Sequence, residues 1–214
     1  MIRIEDRGPV IVSQIPAGRL QAYRRRTFRL ADGLRLGESA SLKAAAPAAE
    51  DPAISREYLL KEMCQGSPVT GGIDLFAVEG GTAAMAYIFN SLKANRILRA
   101  GDKVAIARPI FTPYLEIPEL EDCGLEEVFI DADENDGWQL PDSELEKLRD
   151  PAVKAFFLVN PSNPPSVQVG ERARNTIAGI IEKDRPDFLL LTDDVYGTFV
   201  DGFVSMFAVC PRNT

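Results

Sequence analysis

Two short stretches of this chain carry side chains suited to chemistry at the end of a buried strand. The first is Asn160-Pro161-Ser162-Asn163-Pro164-Pro165-Ser166, directly after the apolar run Ala155-Phe156-Phe157-Leu158-Val159. The second is Thr192-Asp193-Asp194-Val195-Tyr196, directly after Phe188-Leu189-Leu190-Leu191. Together they offer an amide in a loop whose prolines restrict the backbone, a carboxylate and a phenol. Asn163 also reads as part of a plain Asn-Pro turn. A carboxylate at a buried strand end is costly unless a cation or a donor faces it, and a protonated ring nitrogen would be such a partner. Asp193 is expected at the ligand and Asp194 fits a solvated loop better. Tyr196 either donates to a ligand oxygen or simply packs.

Two further stretches join strands to helices. In Glu79-Gly80-Gly81-Thr82 the glycines allow a tight turn and close backbone approach. The helix start then adds free N–H groups and the positive end of the dipole, and Thr82 a hydroxyl, which suits a phosphate. The same residues also read as a plain turn with an N-cap. They form neither a P-loop nor a Gly-x-Gly-x-x-Gly fingerprint. Phe111, in Arg108-Pro109-Ile110-Phe111-Thr112-Pro113-Tyr114, can lie flat on an aromatic ring or pack in the core. Trp138 reads as a surface turn aromatic, and Cys64, Cys123 and Cys210 as small core residues.

The elements that must position these groups follow a regular rhythm. Strands are expected at Leu75-Phe76-Ala77-Val78, Lys103-Val104-Ala105-Ile106, Glu127-Val128-Phe129-Ile130 and the two apolar runs above. Helices are expected over 54–63, 82–93, 113–122, 142–148 (capped by Asp142) and 171–183, with Pro113 in the first turn of its helix. Apolar strands alternating with helices predict an α/β fold: three α/β/α layers around a mostly parallel sheet covered on both faces. Crevices beyond the carboxyl ends of such strands bind ligands. Residues 1–50 read as a separate N-terminal arm with the basic cluster Arg24-Arg25-Arg26. Residues 51–214 read as the folded unit.

Composition narrows the function. With 45% apolar and 26% charged residues the chain is of globular type. The net charge of −8 argues against nucleic acid, which needs a basic face. That charge is uneven, +4 over residues 1–50 and −12 over the rest. The absence of histidine excludes a Ser-His-Asp triad and histidine-ligated metal within these residues, and no metal site is expected. Three scattered cysteines suit a reducing compartment. No apolar run approaches the length of a membrane span, and the start lacks a signal-peptide core. A cytoplasmic protein is expected.

Taken in order, the four stretches resemble those of the fold-type I pyridoxal-phosphate enzymes, the aspartate aminotransferase superfamily, in which an Asn-Pro-x-Asn-Pro loop precedes a downstream Asp-x-x-Tyr. The resemblance covers roughly residues 55–214 and extends in detail to the bacterial aspartate 4-decarboxylase subgroup. It implies that residues 51–214 form part of a pyridoxal-phosphate-binding large domain. Gly80, Gly81 and Thr82 would hold the cofactor phosphate and Phe111 would stack on the pyridine. Asn163 and Tyr196 would bond the phenolic oxygen, and Asp193 would pair with the ring nitrogen. It further implies amino acid and 2-oxo acid substrates, decarboxylation of L-aspartate to L-alanine beside transamination, and a homo-oligomer in the full-length enzyme. Gly80 stands where many relatives have a hydroxyl residue, and Pro165-Ser166 replaces the wider family's Thr-Gly. The family's Schiff-base lysine lies beyond Asp-x-x-Tyr, whereas no lysine follows Lys183 here. On that comparison the chain is expected to be truncated before its catalytic lysine and inactive as it stands. The alternatives are an ordinary aspartate- or alanine-type aminotransferase fragment, and a non-catalytic α/β binding module.

Overall fold

The computed structural model describes residues 10–11, 59–65, 74–75, 80–119 and 124–214. The rest of the expected arm over 1–50, the start of the helix expected from Ile54, the strand residues 76–78 and Cys123 lie outside the described residues.

Four strands form one fully parallel sheet: β3 (Lys103–Arg108), β4 (Glu126–Asp131), β5 (Val153–Val159) and β6 (Leu189–Asp193), in the order β4-β3-β5-β6. β1 (Val10–Ile11) and β2 (Asp74–Leu75) pair in parallel with each other. Leu75, expected to open the first strand of the main sheet, thus belongs to this separate two-stranded pairing.

The helices are α1 (Gly81–Ala94), α2 (Pro113–Glu119), α3 (Asp142–Leu145), α4 (Glu171–Lys183) and α5 (Met206–Val209). Leu59–Met63, expected to close an α-helix, is a π-helical turn. α4 has the expected bounds, because its buried Ala173, Ile177, Ala178, Ile180 and Ile181 recur at helical spacing. α3 differs from expectation. Pro141 occupies the N-cap position in extended conformation, α3 is a single turn, and a 3₁₀ segment Glu146–Arg149 continues it. Asp142 is therefore the first helical residue rather than the cap. Its carboxylate instead accepts from Thr176 Oγ1 (3.1 Å) and the Arg172 guanidinium (3.4 Å), tying α3 to α4.

β5 shows why the sheet is covered twice. Side chains alternate across a strand, and every β5 residue except Lys154 is buried. Phe156 and Leu158 pack with Leu145, Leu148, Ile177 and Ile181 of the α3–α4 side. Ala155, Phe157 and Val159 pack with Met85, Phe89 and Tyr114 of the α1–α2 side. The three-layer α/β/α arrangement follows. Each fully buried phenylalanine is worth about 2–3 kcal/mol relative to exposure.

The strand order also locates a crevice. From β3 the chain steps outward to β4, then crosses back to β5 and continues to β6 on the other side. The reversal lies between β3 and β5, where open parallel sheets bind ligands at the carboxyl ends.

Candidate functional site

At that edge the ends of β5 and β6 lie level, with Val159 opposite Asp193 and the Asn160 N–H donating to the Asp193 carbonyl at 2.9 Å. Asp193 is half-buried, the last residue of β6. Its Oδ1 accepts from the Val195 N–H at 3.1 Å, and its Oδ2 accepts from the Tyr114 hydroxyl at 2.7 Å.

Tyr114 is buried. Its ring meets Phe157 edge-on at 5.0 Å and Phe111 at 5.6 Å between centroids. Burial, and then the charge of Asp193, push its ionisation well above the ordinary phenol range. It is therefore a donor at any working pH. Phe111 lies 43% exposed and Tyr196 42% exposed. A tyrosine one helical turn beyond an aromatic strand-end residue, just past Pro113, was the available signal. Sequence reasoning gave Tyr114 no role because its partner lies 79 residues away.

The start of α1 closes the same corner. Gly80 adopts φ +139°, a conformation open to glycine. The Ala84 N–H bonds the Gly80 carbonyl, so Gly81, Thr82 and Ala83 present N–H groups without intrahelical acceptors. A side chain at Gly81 would meet the Tyr114 hydroxyl at 2.9 Å and Asp193 Oδ2 at 3.8 Å. Glycine is required there by close approach. Thr82 is exposed at the second helical position, so the cap position falls to Gly80 and not to the threonine.

The amide loop is braced from within. Asn160 is buried, and its Oδ1 accepts from the Val169 N–H at 2.9 Å. Ser162 Oγ both donates to the Val167 carbonyl and accepts its N–H. Asn163 sits half-buried in this loop, and no hydrogen bond of its amide occurs among the described residues. The structure thus brings Gly81, Phe111 and Asp193 together around Tyr114, with Tyr196 exposed three residues beyond Asp193. Gly80 and Thr82 flank Gly81 in the chain, and Asn163 lies three residues beyond the β5–β6 junction.

Asp194 departs from expectation. It is the buried carboxyl of the pair, 9% exposed. Its oxygens accept from Thr192 Oγ1 (2.5 Å) and from Ser205 Oγ. Burial raises its pKa to about 7, against the lowering effect of those two hydroxyls. The strand pleat turns adjacent side chains to opposite sides, and a segment arriving 11 residues later covers Asp194. Cys64 and Cys210 are buried free thiols raised to about 11 by burial, as small core residues should be. Trp138 is half-buried in its turn at φ +62° and lines an apolar cleft with Ala107, Leu158 and Val169. Among the described residues no group of three or more His, Cys, Asp or Glu is placed to hold a metal, and no helix is long and apolar enough to cross a membrane.

The chain is similar to known proteins. A family model described as aminotransferase class I and II matches residues 77–212. Over 161 residues the chain is 60% identical to a "bifunctional aspartate aminotransferase and L-aspartate beta-decarboxylase" of Pseudomonas sp, covering 75% of this chain and 30% of that protein. It is 31% identical over 116 residues to a "probable aspartate/prephenate aminotransferase" of Rhizobium leguminosarum, covering 54% of this chain and 28% of the relative. The chain therefore spans less than a third of the length of these relatives. Among solved structures, the aspartate aminotransferase of Rhizobium meliloti matches with TM-score 0.59 at 23% identity, over 92% of this chain and 52% of that one. Cystalysin of Treponema denticola, a structure containing pyridoxal 5'-phosphate, matches with TM-score 0.53 at 18% identity, over 95% of this chain and 45% of that one. These two share the fold.

Proposed function

The chain belongs to the aminotransferase class I and II family, and from that premise we propose that it is the cofactor-binding part of a pyridoxal-phosphate enzyme acting on L-aspartate. The reaction is 4-decarboxylation to L-alanine with release of carbon dioxide, accompanied by transamination with a 2-oxo acid. The observation that carries this reading is the meeting of Gly81, Tyr114 and Asp193 at one point beyond the strand ends. The high identity to the bifunctional Pseudomonas relative supports the choice of reaction.

The donor set fits a phosphorylated pyridine. A corner in which even a Cβ at Gly81 would crowd the Tyr114 hydroxyl lets backbone come close to a phosphate, with the N–H groups and Thr82 hydroxyl at the helix start as donors. Phe111 offers a ring face for stacking. Asn163 and Tyr196 would donate to the phenolic oxygen, and Asp193 would pair with the ring nitrogen and keep it protonated. When bound, the cofactor supplies an electron sink for the substrate carbon. The chain's own contribution is to bind, orient and keep that sink charged.

Equilibrium dialysis of the purified chain against pyridoxal 5'-phosphate tests this. Retention that Asp193→Asn and Phe111→Ala both weaken is the expected result. A chain that retains none, or variants that bind as wild type does, refutes it. In the whole enzyme, alanine and carbon dioxide from aspartate distinguish this reading from an ordinary aminotransferase, which gives oxaloacetate.

A further inference from the structure

We infer that Tyr114 is a positioning residue for the cofactor site, fixing the orientation of the Asp193 carboxylate that would pair with the ring nitrogen. The inference rests on the function proposed above and adds a residue to which no role has been attached.

A carboxylate at a strand end is free to rotate about its Cβ–Cγ bond unless both oxygens are held. Here one oxygen takes the Val195 N–H at 3.1 Å and the other the Tyr114 hydroxyl at 2.7 Å. The first donor is backbone and fixed by the turn after β6. The second is a side chain, but a rigid one. Tyr114 is buried, wedged between Phe157 and Phe111, and bounded by Gly81, where any larger residue would displace its hydroxyl. Three elements that the sequence keeps far apart therefore place one phenolic oxygen. The phenol stays neutral because burial and the adjacent carboxylate push its ionisation upward. The hydroxyl donates to Oδ2 and so fixes where that oxygen sits relative to the backbone-held Oδ1. The remaining lone pairs of each oxygen are left for the ligand. Tyr114 also touches the aromatic proposed to stack on the cofactor, so the stacking face and the anchor of the ring nitrogen share one support. Preorganisation of this kind sets how well a site holds its ligand.

Tyr114→Phe deletes a single oxygen and keeps the ring contacts. The test compares binding of pyridoxal 5'-phosphate with binding of its carbocyclic analogue, which has C–H in place of the ring nitrogen. Both are measured by equilibrium dialysis on the 214-residue chain. Wild type should prefer the nitrogen compound, and Asp193→Asn should abolish the preference. Tyr114→Phe should reduce the preference by about tenfold, near the low end for one hydrogen bond to a charged group, while binding of the carbocycle stays unchanged. In the Asp193→Asn background the tyrosine substitution should add nothing. Gly81→Ala, whose added Cβ would crowd the same hydroxyl at 2.9 Å, should lower the same preference and serves if Tyr114→Phe folds poorly. An unchanged preference in a folded Tyr114→Phe chain overturns the inference while leaving the proposed function standing. Equal weakening for both compounds also overturns it, because Tyr114 would then act only on general packing. A wild-type chain that binds neither compound overturns both.

Discussion

Replacing Asp194 with asparagine should remove a large part of the pH dependence of this protein's stability. The carboxyl is buried between Thr192 and Ser205, and its folded pKa of about 7 stands well above the ordinary carboxyl value of about 4. Below about pH 4 both folded and unfolded chains hold the proton, and the stabilising contribution is complete. As pH rises the unfolded chain releases its proton first. The folded chain then holds more protons, and stability falls by about 1.4 kcal/mol per pH unit until the folded group also ionises. From about pH 5 to about pH 8 the loss comes to roughly 3 kcal/mol. Above that range the ionised carboxylate is held by its two hydroxyl donors but remains buried, and the loss is not recovered. Asparagine has nearly the same volume and does not titrate, so the difference between wild type and Asp194→Asn isolates this group. Urea unfolding of both chains across that pH range is the assay. The wild type should lose roughly 3 kcal/mol relative to the variant as pH rises. Two stability curves that stay parallel within about 0.5 kcal/mol, the ordinary scatter of independent surface effects, would show that Asp194 ionises as freely in the folded chain as in the unfolded one. Because Asp193 adds to the upward shift, Asp193→Asn should also narrow the pH window of the loss and reduce its total.

Three further outcomes follow from the same geometry. Gly81→Ala gains up to about 1 kcal/mol of helix propensity but meets the Tyr114 hydroxyl at 2.9 Å; since that ring is wedged between two phenylalanines, a net destabilisation of about 1 kcal/mol is expected by thermal unfolding. Phe111→Ala removes a 43% exposed ring and should barely change the melting temperature while weakening pyridoxal 5'-phosphate binding about fivefold or more, the worth of one aromatic contact; a large fall in stability without loss of binding would make Phe111 a core residue. Arg185→Met should cost about 2–4 kcal/mol in urea unfolding, because the buried guanidinium donates to the carbonyls of Leu148 (3.1 Å), Asp150 (2.6 Å) and Val153 (2.8 Å), which the thioether cannot satisfy.

Much of the fold was legible because it rests on local pattern. The bounds of α4 follow from apolar spacing along one face, and β5 reads as a buried strand because both its faces are apolar. Asp193 and Phe111 were recognisable as strand-end groups from what precedes them. Asp142 misled, because Asp is a common cap; Pro141 before it supplied an extended residue that took the cap position.

What only the tertiary structure decided concerns residues distant in sequence. The order β4-β3-β5-β6, and with it the crevice between β3 and β5, depends on which strands pair, and parallel apolar strands are nearly interchangeable as local sequence. Of two adjacent aspartates, the one expected in solvent is buried, because Ser205 and its segment close over it. Tyr114 became part of the site only when α1, α2 and β6 were packed together and its hydroxyl reached Asp193. Periodicity along a chain reports which face of an element is apolar, whereas a hydrogen bond between residues 79 apart exists only once the sheet has brought its ends level.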